Sequence, residues 1–192
     1  HPAKHARGGK GPDPARGHPA QDQQRPANPG DPGQHRQDEV ALIGGDAEHE
    51  GSDRGEAQPR PVADAAVTSA RGRVLAVLTA DCLPVLIADA HGVAVGIAHA
   101  GWRGLAAGVV ERTVEALRTK GARTPVAWLG PAIGARRFEV GDDVRQAFVA
   151  HDVRAAPAFV ALPVPGKWLA DLYALARLRL ASCGVTRVSG GG

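Results

Sequence analysis

Thr79-Ala80-Asp81-Cys82-Leu83-Pro84-Val85 and, further on, His99-Ala100-Gly101-Trp102-Arg103-Gly104 decide how this 192-residue chain is read. The first stretch ends one apolar run and opens another, Leu83 to Asp89. Asp89-Ala90-His91-Gly92 is a turn signal, and a third run, Val93 to Ala98, ends at His99. Short apolar runs bounded by Asp, Gly and Pro fit buried strands, because none reaches helix length before a breaker. The spacing predicts strands over about 73–80, 83–89 and 93–99, the last two closing as a hairpin. Antiparallel pairing then draws the open ends together, which brings Cys82 near His99.

Working outward, a Gly-Trp-Arg-Gly turn leads into a helix over about 104–119. Ala106, Val109, Val110, Val114 and Leu117 form its apolar stripe, and Gly121 stops it. Its free N-terminal amides, with Arg103, would suit an anion such as phosphate. A strand over 125–129 precedes the loop Gly130-Pro131-Ala132-Ile133-Gly134. Helices follow over about 141–150 and 167–182. In the first, Asp142 and Asp143 serve the N-terminus. The second carries a stripe of Leu169, Leu172, Tyr173, Ala176 and Leu180, with Asp171 off it and solvated. Val185 to Val188 reads as a strand. The fold class is α/β (α+β), a layered mixed β-sheet flanked by helices, over about 61–192.

The first 60 residues read differently. They hold eight Pro, ten Gly, no aromatic residue and, of large aliphatics, only Val40, Leu42 and Ile43. Such a stretch buries too little apolar surface to offset its ordering entropy. It is expected to be a disordered leader, or sequence not native to the fold. Five of the eight histidines fall there, so weak metal binding is an alternative. Residues 61–192 carry fifteen basic and ten acidic groups, a mild excess that suits phosphate without pointing to nucleic acid. No run is long enough to span a bilayer and no signal-peptide pattern is present. Two cysteines, Cys82 and Cys183, make no disulfide framework, so a reducing cytoplasm is the expected home. A monomer is expected.

Three chemistries compete for the Cys82–His99 pair. The thiol and the imidazole can be structural core groups. They can ligate a metal that keeps one position open, or act as nucleophile and base. Arg103 can pair with a surface carboxylate or grip phosphate through its planar fork, and Trp102 can cover the sheet or wall a ring pocket. Gly101 and Gly104 are expected to serve tight backbone geometry. Cys183, at a helix end before Gly184, reads as structural. His91 reads as exposed in the turn, and His151 as a helix-terminal histidine.

"TADCLPVL", "HAGWRGL" and "GPAIGARRFEVGDDV" together closely resemble the YfiH-type laccase-domain family, also described as multicopper polyphenol oxidases. The likeness runs from "VADAAVT", at about Val62, to the last residue and includes "KWLADLYALARLRLASCGV". The resemblance implies a zinc-dependent purine nucleoside enzyme acting on adenosine, inosine or methylthioadenosine with phosphate, and deaminating adenosine. It makes Cys82 and His99 two of three zinc ligands, and Cys82, His99 and Arg103 the catalytic set. The third family ligand, a histidine in a Val-His-Gly context, has no match here, and His49 is the nearest stand-in. The resemblance further implies an upstream part replaced or frame-shifted and a truncated C-terminus. Alternatives are a Cys–His hydrolase acting on cell-wall precursors, a copper-linked polyphenol oxidase, and, in another class, an inactive fragment or non-catalytic binding domain. A copper site usually adds an axial Met, and the chain has none.

Overall fold

The computed structural model describes residues 41–43 and 63–191. In chain order the elements are β1 (Ala41–Ile43), β2 (Ala65–Thr68), β3 (Leu83–Asp89), β4 (Val95–Ala100), α1 (Trp102–Ala106) and α2 (Val109–Thr119). Then come β5 (Pro125–Leu129), β6 (Glu139–Gly141), α3 (Asp142–Val149), a 3-10 turn (Val153–Ala158), β7 (Phe159–Ala161), β8 (Lys167–Ala170), α4 (Leu172–Ser182) and β9 (Val188–Gly190). Six strands form one mixed sheet in the order β1-β2-β4-β3-β5-β9, and three form a second, β6-β8-β7. Only the β5–β9 pair of the large sheet is parallel. This is the α/β class, with sheets flanked by helices, that the sequence predicts.

Alternation along the strands gives the large sheet two unlike faces. Leu83, Val85 and Ile87 of β3 stand beside Ala100, Ala98 and Gly96 of β4, and all are buried. Helix α2 packs on β2, β3 and β4 and sends Val109, Val110, Val114 and Leu117 inward. Thr113 joins them, its hydroxyl donating to the Val109 carbonyl at 2.6 Å. Helix α4 lies against α1 and α2 and buries Leu172, Leu175, Ala176 and Leu180. The opposite face carries Pro84 beside His99, and Leu86 between Ile97 and Trp128. Leu86, Val95 and Trp128 are 40–44% exposed there, so this face is open among the described residues.

The predicted hairpin forms, with Pro84 opposite His99 and Ala88 opposite Val95. The segment 73–80 does not form the predicted strand. It has no ladder partner, and Val74 and Leu78 are 86% and 84% exposed. The reason is topological. Strands β2 and β3 both run antiparallel to β4, which sits between them, so they are parallel and need a return crossover. The apolar run is that crossover, and β4 has no free edge left to offer it. The predicted helix over 104–119 is two helices, because Gly108 adopts φ 88° between them, a conformation that glycine alone takes freely.

The predicted helix over 167–182 also starts late. Residues 167–170 pair with both neighbours as β8, and Asp171, half-buried, caps α4 by accepting from the Ala174 N–H at 3.0 Å. Leu169 therefore belongs to a strand. Strand β1 lies upstream of the boundary read at about residue 61 and pairs with β2, Leu42 opposite Ala66.

One buried carboxylate organises the far end of the hairpin. Asp89, 4% exposed, accepts backbone N–H groups from Thr124 at 2.8 Å, Arg123 at 2.9 Å and His91 at 3.0 Å. The Thr124 N–H, then those of His91 and Arg123, hold its carboxyl below the usual range against the opposing pull of burial. A depressed native pKa stabilises the fold above the unfolded value near ~3.9, and that stabilisation is lost as pH falls through the native value. Asp89→Asn is expected to lower the melting temperature at neutral pH and to flatten its fall in acid. Parallel melting curves of the wild type and the variant between neutral pH and acid would contradict this.

Candidate active site

At the other end of the hairpin, β3 and β4 deliver the two chemistry-bearing side chains. Cys82 directly precedes β3, and His99 lies in β4 opposite Pro84. Residues two apart on a strand share a face, so Cys82, Pro84 and His99 line the same, open side. Gly101 shows how close they come. A Cβ on it would lie 3.0 Å from Cys82 Sγ and 3.7 Å from His99 Nε2. The thiol and that ring nitrogen face one small volume, and Gly101 keeps it open. The sequence reading assigns Gly101 to tight backbone geometry; its backbone is ordinary, φ −61° and ψ 159°, and what the site needs from it is space.

A third group joins them that the sequence reading passes over. Asp64, just before β2, places Oδ1 3.5 Å from His99 Nδ1, and its carbonyl accepts the His99 N–H at 2.7 Å. Asp64 is 9% exposed. It sits inside "VADAAVT" as one acidic residue before a strand, and only the β2–β4 register, Ala65 opposite Ala98, puts it against His99. Burial pushes the Cys82 thiol up, and the charges of Asp81 and Asp64 push the same way. A nucleophilic thiolate wants a cation nearby instead.

The loop 130–134 closes over the Cys82 side. Ile133 N–H donates to the Asp81 carbonyl at 3.0 Å, and Gly130 N–H to the Pro84 carbonyl at 2.9 Å. From α4, the Tyr173 hydroxyl accepts the Ala132 N–H at 2.8 Å and donates to the Gly130 carbonyl at 3.2 Å. Tyr173 therefore braces this loop and is not a plain core residue.

Arg103 is exposed, its guanidinium 4.6 Å from the centre of the Trp102 ring. No carboxylate pairs with it among the described residues. Helix α1, where it sits, has five residues, too few for the anion-holding N-terminus that the sequence predicts. Cys183 caps α4 at a distance from this site along the chain, and burial raises its thiol as well. A separate shallow cavity of 600 Å³ lies on the open face among Leu86, Val95, Trp128 and Arg187, and neither Cys82 nor His99 lines it.

Zinc takes thiolate and imidazole donors, usually three from the protein in a catalytic site. Cys82 Sγ and His99 Nε2 fit as two of them. Among the described residues no group of three His, Cys, Asp or Glu side chains is placed to hold a metal. His49 lies outside the described residues.

The family model for multi-copper polyphenol oxidoreductase laccase matches residues 32–192. A purine nucleoside phosphorylase of Xylella fastidiosa is 58% identical over 134 residues, 69% of this chain and 51% of the relative. One from Pseudomonas aeruginosa is 54% identical, covering 71% of this chain and 57% of its own. The chain spans about half the length of the curated relatives it matches. Among solved structures, a Neisseria meningitidis protein superposes with TM-score 0.64 at 52% identity, covering 69% of this chain and 54% of that one. YfiH of Bacillus licheniformis follows with TM-score 0.62 at 28% identity, covering 67% and 50%. Among the described residues no helix is long and apolar enough to cross a membrane.

Proposed function

The chain belongs to the multi-copper polyphenol oxidoreductase laccase family, and on that premise we propose that it carries part of a purine nucleoside phosphorylase site. The substrates are adenosine, inosine or methylthioadenosine, with phosphate. The observation that carries this reading is Cys82 Sγ and His99 Nε2 facing the space beside Gly101, in a chain whose relatives bear the name purine nucleoside phosphorylase.

In phosphorolysis a phosphate oxygen bonds to the sugar's anomeric carbon as the bond from that carbon to the purine nitrogen breaks. The electron pair leaves with the base, which takes up a proton, and the products are the sugar 1-phosphate and the free purine. Arg103 supplies a planar cation for the phosphate. It is unpaired by any carboxylate among the described residues, so it is available for that role. Trp102, over which it lies, restrains its direction. His99, flanked by Asp64, presents Nε2 beside Cys82. Zinc, held by these two and by a third ligand outside the described residues, would supply a Lewis acid and an acidified water. Deamination of adenosine, which the same site would also carry, would draw on the same Lewis-acid chemistry. Burial and the nearby carboxylates hold the Cys82 thiol up, which disfavours a free thiolate nucleophile; a metal would supply the positive charge that a thiolate there needs.

The test is the release of adenine from adenosine by the full chain, with and without phosphate, alongside elemental analysis for zinc. Release that depends on phosphate is expected. Cys82→Ala should remove both zinc and turnover. Arg103→Ala should raise the KM for phosphate roughly tenfold or more, the loss of one charged hydrogen-bonding group at about 1.5–3 kcal/mol, with zinc unchanged. Adenine release indifferent to phosphate, or turnover that survives Cys82→Ala, would overturn the reading.

A further inference from the structure

We infer that Asp64 sets the tautomer of His99, accepting its Nδ1 proton so that the Nε2 lone pair faces the volume shared with Cys82. The inference deepens the proposed site and rests on that reading only for its consequence, not for its geometry.

Three observations carry it. First, the backbone fixes the pair. The β2–β4 ladder continues by one step through the His99 N–H bond to the Asp64 carbonyl at 2.7 Å, so the two residues stand side by side on neighbouring strands. Second, the side chains meet at the correct atoms. Asp64 Oδ1 is 3.5 Å from Nδ1, with the side chains 12% and 25% exposed. That distance exceeds a formed hydrogen bond, and a small rotation of either side chain closes it. Third, the other ring nitrogen has a different neighbour. Nε2 faces the space at Gly101 that Cys82 Sγ also borders.

A neutral imidazole has one donor and one acceptor nitrogen. A carboxylate can only accept. Beside Asp64, Nδ1 must therefore carry the hydrogen, and Nε2 is left as the acceptor. The same arrangement fixes the ring plane. Gly104 of α1 packs beside the pair: a Cβ there would lie 3.4 Å from the His99 carbonyl and 3.7 Å from Asp64 Oδ2. Asp64 touches neither sulfur nor substrate in this scheme. It is a positioning residue, acting through His99.

The experiment is long-range proton–nitrogen NMR on the full chain labelled with ¹⁵N. Chelator is present so that no ion dictates the tautomer. The pH is held near ~9, above the ordinary histidine range around ~6.5. The His99 ring signals are assigned by their loss in His99→Gln. The wild type is expected to show the form with hydrogen on Nδ1. Asp64→Asn is expected to shift the population toward hydrogen on Nε2, because an amide can donate to Nδ1. A wild-type ring that carries its hydrogen on Nε2 overturns the inference by itself, even if no variant folds. So does an Asp64→Asn ring with the wild-type pattern. Failure of phosphorolysis would count against the proposed function and leave this readout standing, so the two are separable.

Discussion

Gly101→Ala is expected to lower phosphorolysis by ~100-fold or more, since displacements near 1 Å at reacting groups cost about that much. The new methyl would sit 3.0 Å from Cys82 Sγ, inside ordinary contact, and 3.7 Å from His99 Nε2. The sulfur has to turn away, and the volume between the two donors is filled. Bound zinc should fall in step with activity. Stability should hardly change, because φ −61° and ψ 159° suit alanine as well as glycine. Gly134→Ala is the control: no atom lies within 4 Å of its added methyl. Turnover and zinc content equal to the wild type in Gly101→Ala would mean that the reaction does not use the space between Cys82 and His99.

How much of this was legible beforehand depends on the range of the cause. The hairpin and the Cys82–His99 approach were readable because turn chemistry and strand pairing act over neighbouring residues. The inward stripe of α2 was readable because helical periodicity is local. What failed was decided at longer range. Residues 73–80 have a strand's composition, yet β2 and β3 already flank β4, which has no free edge for that run. Lys167–Ala170 carry helix-compatible residues, yet β6 and β7 offer a slot between them that only a strand fills. Asp64 lies 35 residues before His99, and no spacing rule joins them. Its only local signal is position, one residue before a strand. Gly101 was noted for the wrong physical reason, since space beside a side chain leaves no trace in φ.

Arg179→Ala is expected to cost about 3–5 kcal/mol of stability, the usual penalty for breaking a buried ion pair from one side. Arg179 stands on a helix rich in leucine, between Leu178 and Leu180. The structure buries its side chain to 6% exposure. One guanidinium nitrogen donates to Glu111 of α2 at 2.9 Å, and the other to the Ala106 carbonyl at the end of α1, at 2.7 Å. The same group lies 6.0 Å from the centre of the Phe148 ring of α3. A single side chain on α4 therefore ties three helices, and it satisfies a carbonyl freed where Gly108 breaks the helical run. Truncating it leaves the Glu111 carboxylate without its partner, the second oxygen already lacking one. Glu111 retains 29% side-chain exposure, and water reaching it should hold the loss toward the lower end of the range. The double variant Arg179→Met with Glu111→Leu should recover most of it, because replacing both members of a buried pair with apolar groups is often neutral. Denaturant unfolding of Arg179→Met, Glu111→Leu and the double closes the cycle. If Arg179→Ala costs less than about 1 kcal/mol, the pair behaves as an exposed one, and the joint between α1, α2 and α4 is held by leucine packing alone.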